Sequence, residues 1–337
     1  MLAALLIVAR SMQIGASLLF AGIFTFEVVA LGPTGPSAND DRHTLDQRLL
    51  RLAFCTLVTA LFSTLLWFWL EAASMSGLPL ARAFSGGGWR TVLFQTDFGR
   101  VWQLRLGLIV IALALVGLGP AGMKWLGTVK FVLSPLAFVL LISLAWISHA
   151  AAAGRQPLGL LGDALHLCSA CSWMGGLLPL AIFLASAEIS VSLGAQAPDV
   201  LRRFSALSLC CVCSLVLSGL SNSWLLVGFI GALFTTPYGL LLLFKLTLFG
   251  ALLVLGARNR LMIKVGRRSG ASRSDLFSQL RRNVICEICL GLLVVAIVGW
   301  LGITPPARQS EAPNAAAARP TIVCEVGSRT SWQRGKM

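Results

Sequence analysis

Apolar runs long enough to cross a bilayer, about eight of them, predict an all-α polytopic membrane protein. Two further observations agree. The 337 residues are 57% hydrophobic and only 12% charged, with a mean hydropathy of +0.83, whereas soluble domains carry about 25% charged residues. The basic residues also sit in short stretches between apolar runs, which is how membrane orientation is encoded. The formal charge of +14 therefore does not mark a nucleic-acid binder, and no RNA- or DNA-binding motif accompanies it.

A span needs about 20 mostly apolar residues, and in the bilayer such runs must be helices because every backbone polar group has to be paired internally. The first run, near 7–30, has no basic leader region and is interrupted by Arg10, so it is expected to be a retained span. The others lie near 50–71, 101–119, 126–148, 160–186, 204–228, 239–257 and 284–302. The segment 258–282 carries Arg258, Arg260, Lys264, Arg267, Arg268, Arg273, Arg281 and Arg282 against the single acid Asp275, and is expected to be cytoplasmic. Counting back places 31–49, 120–125 and 187–203 on that side, and 72–100, 149–159, 229–238 and both termini outside. The segment 72–100, with Arg82, Arg90 and Arg100, breaks the charge rule and is expected to lie along the interface. The tail from Thr304, rich in Pro and Ala, lacks the apolar surface to fold alone.

The chain also carries a weak internal repeat. Thr96-Asp97-Phe98-Gly99 precedes Arg105-Leu106, and Thr236-Pro237-Tyr238-Gly239 precedes Lys245-Leu246, with the basic residue six positions after the glycine in both. Leu50-Arg51 opens the second run as Arg202-Arg203-Phe204 opens the sixth. Two four-helix halves of one orientation would explain this, a plan known in transporters.

Of three histidines, two converge. His149 ends the fourth run and His166 lies early in the fifth, joined by a short loop. Asp163 precedes His166 by three residues and shares its helical face. Imidazole binds Cu, Zn, Fe and Ni, and a carboxylate commonly orients the ring. The functional reading is a metal site of His149 and His166 with Asp163; the plainer alternative is a polar helix cap at the wet interface. Thioethers would narrow the metal to Cu(I). Met12, Met75 and Met174 lie towards the same face, and Met12 falls near His166 when the halves are overlaid.

Most of the nine cysteines lie inside apolar runs, where thiols pack as small hydrophobes. Cys168 and Cys171 resemble a metal pair, but at about 100° per residue they point roughly 200° and 140° away from His166. Cys210, Cys211 and Cys213, Cys286 and Cys289, and Cys324 in the tail, read mainly as packing or incidental. Arg105 and Lys245 are placed to pair with Glu71 or Asp97, to snorkel, or to hold an anion. Gly175-Gly176 and Gly219 read as close helix packing. No nucleophile elbow, phosphate loop or HExxH occurs, so nothing supports an enzyme.

The run Ser148-His149-Ala150-Ala151-Ala152, then Asp163-Ala164-Leu165-His166 and Trp173-Met174-Gly175-Gly176-Leu177, resembles the central signature of the copper resistance protein D (CopD) family. Arg203-Phe204-Ser205, Ser218-Gly219, Thr236-x-Tyr238-Gly239, Lys245-Leu246 and Arg258-Asn259-Arg260 resemble its C-terminal domain. Together these motifs cover about residues 145–262. Cys168 and Cys171 depart from the alanine relatives usually carry there. On this resemblance the chain divides into residues 1–125 with helices 1–3, 126–200 with helices 4–5 and the His/Asp site, 201–303 with CopD-like helices 6–8, and the tail 304–337. The resemblance implies a multi-pass bacterial inner-membrane protein that takes a copper ion, Cu(I) or Cu(II), from periplasm to cytoplasm, beside a periplasmic copper-binding partner of the CopC type. His149 and His166, with Asp163, would accept the ion. Two alternatives stay open: a b-type cytochrome with haem between the two imidazoles, and a non-transporting copper-delivery scaffold.

Overall fold

The computed structural model describes residues 1–32, 40–77, 79–84, 87–117, 123–147, 157–269 and 273–310, and every regular element among them is helical. His149, the loop around it, Cys324 and the tail beyond 310 lie outside the described residues. Among the described residues eight helices are long and apolar enough to cross a membrane. They are α1 (Leu2–Leu31), α2 (Asp40–Ser76), α3 (Asp97–Gly117), α4 (Val129–Ile147), α5 (Gly159–Ile189), α6 (Val191–Val227), α7 (Pro237–Lys264) and α8 (Asp275–Leu301).

The helices outrun the apolar windows. α2 begins at Asp40 rather than near 50, and α6 at Val191 rather than near 204, so most of the two expected loops is helical. Hydropathy marks the part of a helix meant for hydrocarbon, not its ends. The ends are set by polar groups: Asp40 and Asp41 occupy the first turn of α2, where acids favour the helix dipole. The Ser190 hydroxyl caps α6 by accepting from Leu193 N at 3.1 Å. The Ser190 and Ser192 hydroxyls also donate to Asp41 at 2.6 and 2.8 Å, tying the two helix starts together. Past α8 the chain keeps structure briefly, with Ala307 buried in a short helix, Ala307–Ser310.

Two helices form the centre. The spanning windows of α1 and α5 are 72% and 67% buried, against at most 39% elsewhere. They meet backbone to backbone at Gly22 and Gly175, where an added Cβ on either glycine would run into main-chain atoms of the other helix. Only glycine permits this approach. Beside the contact, α5 widens into a π-helical turn at Cys171–Gly175. Pro179 explains it. Proline has no N–H for the Gly175 carbonyl and its ring crowds that turn, and a π turn absorbs the mismatch.

A buried ion network ties the first half together at the face where α1 ends. Lys130 Nζ of α4 lies 2.9 Å from Glu27 of α1 and 3.1 Å from Asp46 of α2. Arg42 Nε reaches the same Asp46 oxygen at 3.3 Å, and its Nη2 donates to the Gly32 carbonyl. Two acids and two bases cancel.

The repeat is visible in local geometry. Thr96 and Thr236 each break the helix in extended conformation, with φ −111°, ψ 152° and φ −108°, ψ 148°. Each hydroxyl donates back to a carbonyl four residues earlier, Val92 or Ala232, and accepts from the amide of Gly99 or Gly239 at 3.0 Å. A Cβ on either glycine would strike the preceding short helix. The pattern Thr-x-x-Gly is thus one corner built twice, opening α3 and α7. Between α2 and α3 the short helix Gly88–Gln95 buries Val92 and exposes Phe94, the two-faced segment expected there.

Two outcomes follow. Gly22→Val should destabilise the detergent-solubilised protein at the upper end of the roughly 1–3 kcal/mol typical of overpacked cores, while Gly107→Val, facing open space, should leave the melting temperature unchanged. Lys130→Met strands the buried Glu27, leaves Asp46 to Arg42 alone, and should cost about 3–5 kcal/mol; adding Glu27→Gln should recover part of the loss in the same melting assay.

Candidate functional site

Asp163 and His166 lie on the first turns of α5, half-buried, facing the last third of α6. Each is held by a polar side chain of α6. Asn222 Nδ2 donates to Asp163 Oδ1 at 2.6 Å. Ser218 Oγ lies 3.0 Å from His166 Nδ1. Ser218, with Gly219, belongs to the family-like motifs of the sequence, but neither it nor Asn222 is marked there as a partner of the histidine and the aspartate.

The serine favours one tautomer of the imidazole. With its single hydrogen on the Ser214 carbonyl, 2.6 Å away, the hydroxyl acts as acceptor towards His166. That arrangement puts the proton on Nδ1 and leaves Nε2 bare with its lone pair available. A ring oriented in this way through its other nitrogen is the usual arrangement for a metal-ligating histidine. Asn222 Oδ1 is buried and has no hydrogen-bond partner among the described residues. A bare imidazole nitrogen, a carboxylate and an orphaned amide oxygen therefore sit within two helical turns of one seam.

Lys245 of α7, half-buried, lies within electrostatic reach of both Asp163 and His166, and the buried Tyr238 within reach of Asp163. The ammonium balances the carboxylate, so the site is close to neutral before any ion arrives. Arg105, the matching residue in the first half, behaves differently from expectation. It pairs with neither Glu71 nor Asp97. Its side chain is 1% exposed and donates to the Leu140 carbonyl and Ser143 Oγ at 2.6 Å and to Ser17 Oγ at 2.9 Å. Three neutral acceptors on α4 and α1 hold the two terminal nitrogens, while the buried Nε has no partner among the described residues, so Arg105 is a strut.

Other sequence candidates fall elsewhere. His149 lies outside the described residues. Met12 is half-buried and sits at the depth of His166: from the Gly22–Gly175 contact the two lie ten and nine residues away, on the order of 15 Å each. The neighbours of Met12 engage other helices, Ser11 facing Gly299 of α8 and Gln13 accepting from Ser63 and Thr64 of α2. The structure thus gives Met12 the depth of His166 and shows no contact between them. Met75 is exposed, and the Met174 methyl packs on Gly291. Cys171 is fully buried and its thiol turns back to the Cys168 carbonyl at 3.1 Å; Cys210, Cys213, Cys286 and Cys289 are exposed on the helix surface. Among the described residues no three His, Cys, Asp or Glu side chains gather into a metal cluster.

Comparison with known proteins gives the chain a family. The family model for copper resistance protein D matches residues 198–301, and that for the copper resistance protein D-like N-terminal domain matches residues 1–157. The chain belongs to the copper resistance protein D family. Asp163 and His166 lie in the stretch between the two matches, and their α6 partners lie inside the C-terminal one. The chain is 35% identical over 217 residues to the copper transport protein CutJ of Bacillus subtilis, covering 61% of this chain and 40% of that protein. It is 27% identical over 267 residues to copper resistance protein D of Pseudomonas syringae pv. tomato, covering 72% of this chain and 84% of that one. It is 29% identical over 267 residues to the inner membrane protein YebZ of Escherichia coli, covering 79% and 88%. No solved structure matches the chain. Family membership and eight apolar helices make it a multi-pass, copper-handling protein of the bacterial inner membrane.

The tautomer is directly checkable. In protein labelled with ¹⁵N-histidine, His166 should show a protonated Nδ1 and a bare Nε2; Ser218→Ala should replace that pattern with a tautomer mixture, and Ser218→Thr should keep it.

Proposed function

We propose that this protein binds copper at its periplasmic face through His166, with Asp163, Asn222 and, from its place in the sequence, His149, and passes it towards the cytoplasm. The observation that carries the reading is the Ser218-fixed ring of His166, which leaves Nε2 as a ligand beside a carboxylate. The basic stretch 258–282 supports the sidedness, because Lys and Arg collect on the cytoplasmic side, and the ends of α1 and α5 remote from His166 then face the cytoplasm. The copper supply is a periplasmic binding protein of the CopC type. Met12 at the same depth is the thioether to test as a further ligand for Cu(I).

Lys245 gives the site its character. An arriving cation competes with a fixed ammonium for Asp163, so it is held less tightly than in a storage site. A transported ion must bind well enough to enter and weakly enough to leave. That balance favours transit over a static delivery scaffold, and it needs no haem.

Purified protein loaded with copper under reducing conditions should bind the metal without a Soret band. His166→Ala should abolish binding, and Ser218→Ala should weaken it about 10- to 100-fold, the range for residues that orient a ligand. Cells expressing the protein should accumulate copper and those expressing His166→Ala should not. Equal copper content in both would favour the scaffold, and a Soret band would replace copper with haem.

A further inference from the structure

Towards the end of the bundle remote from His166, α5, α6, α7 and α8 leave a cavity of about 210 Å³ between them. On α6 its lining runs from Leu201 to Val212 and on α7 from Leu253 to Ile263, about 15 Å of helix on each. That is half of a hydrocarbon core of about 30 Å, the depth of one leaflet. The walls are mostly apolar, the buried Trp173 and Leu177 of α5 among them. The cavity also reaches the outside of the bundle. Leu209 of α6 and Ala257 of α7 line it and are themselves exposed. Both belong to the apolar runs of their helices, so the opening between α6 and α7 faces lipid.

Charged groups gather at one end. Glu287 of α8 is 2% exposed and accepts from Asn259 Nδ2 at 2.6 Å, while Asn283 Nδ2 donates to Asn259 Oδ1 at 2.8 Å. Arg260, the next residue on α7, lines the same cavity, yet among the described residues no salt bridge joins it to Glu287. Lys264 follows Arg260 by four residues, on the same face of α7 and one turn further out, and is exposed. Among the described residues neither base has an ion pair. Like charges at this spacing repel along a helix, and an anion seated between them turns repulsion into attraction. On α8, Arg281 is already paired with Glu188 at 3.2 Å. One acid against two bases leaves the mouth of the cavity net positive.

We propose that this cavity is a lipid-binding site whose occupant is an anionic phospholipid, with an acyl chain along the apolar walls and the phosphate held by Arg260 and Lys264. Hydrocarbon enters from the bilayer without leaving an apolar medium, whereas a polar solute would have to cross lipid to reach the same space. The guanidinium presents a planar fork of N–H donors to phosphate oxygens, and the ammonium adds a point charge. Basic pockets between spanning helices on the cytoplasmic side suit anionic headgroups. Glu287, at the level of Asn259, lies more than one turn deeper than Lys264, and its charge orients the two asparagines rather than meeting the headgroup. On the sidedness proposed above, the lipid comes from the cytoplasmic leaflet. The site is independent of copper binding at His166.

The test follows lipid retained by the full-length protein in detergent, by native mass spectrometry, after adding phosphatidylglycerol or phosphatidylcholine with identical chains. The wild type should hold one phosphatidylglycerol through a detergent exchange that strips phosphatidylcholine, and inorganic phosphate should not displace it. Arg260→Gln and Lys264→Gln should each weaken retention about fivefold, the worth of one base near an anionic lipid surface, and Arg260→Lys should keep most of it. Gly256→Leu probes the chain: a Cβ there meets Trp173 at 3.8 Å, an ordinary contact, so the larger side chain can occupy the cavity. It should abolish retention, while Gly250→Leu, which faces open space, should not. Should Gly256→Leu fail to fold, the two glutamine variants decide alone. Equal retention of the two lipids, displacement by inorganic phosphate, or wild-type retention in Arg260→Gln overturns the site.

Discussion

The contact of Gly22 with Gly175 is the constraint on which the rest depends. Two backbones meeting without side chains leave no freedom to slide, because any register shift would drive a Cβ into main-chain atoms. α1 and α5 run in the same direction, so depth along one can be read directly onto the other. Each is then the post for its own half. α1 receives α2 through Gln13, α3 through Ser17 and α4 through Glu27. α5 receives α6 through His166 and Asp163, α7 through Trp173 against Phe249, and α8 through Glu188 to Arg281. Moving either post would misalign every one of these pairs.

Aligning the halves on that contact shows how one scaffold carries two chemistries. α2 and α6 are both 37 residues long, so Trp67 and Glu71 occupy the positions of Ser218 and Asn222. Counting back from the two glycines, Arg10 matches Asp163 and Gln13 matches His166. In the first half Arg10 stacks over Trp67 at 5.0 Å, and Trp67 Nε1 donates to Glu71 at 3.1 Å. In the second half the same four positions hold a carboxylate, an imidazole, a hydroxyl and an amide. A guanidinium repels a metal ion where the carboxylate attracts it. The overlay drawn from sequence sets Met12 opposite His166; the backbone register sets Gln13 there, one residue along.

Much of this is legible in the chain. The eight helices follow from apolar length, and the repeat from Thr-x-x-Gly with a base six residues on, because a corner is a local motif whose residues lie close in sequence. The pairing of Asp163 with His166 follows from helical period alone. What the sequence hides are partners on another helix. Ser218 shows only as part of a family-like motif and Asn222 as an ordinary polar residue until α6 is laid against α5, and Lys130 shows only as a charge at a helix end until it meets Glu27 and Asp46. Arg105 departs from its expected partners for the same reason: its acceptors, Leu140, Ser143 and Ser17, lie on two helices far off in sequence. Helix ends are hidden too, because hydropathy reports the hydrocarbon, while caps such as Ser190 decide where α6 starts.

The buried ionisable groups then sort by how completely they are satisfied. Glu27, Asp46, Lys130 and Arg42 form a closed set whose charges cancel at contact distance. Removing one member exposes the others to the full cost of an unpaired buried charge, so the set fixes structure and admits no visitor. Arg105, held by three acceptors, is nearly as closed to one. Along α5 and α6 the groups are of the opposite kind: an imidazole with one nitrogen spent and one bare, hydroxyls that pair with each other, and thiols that form no disulfide among the described residues. Neutral dipoles can turn towards a passing cation at small cost and turn back when it leaves, which locked ion pairs cannot do. The division places rigidity in the first half and exchangeable ligands in the second, with the glycine contact holding the two in register.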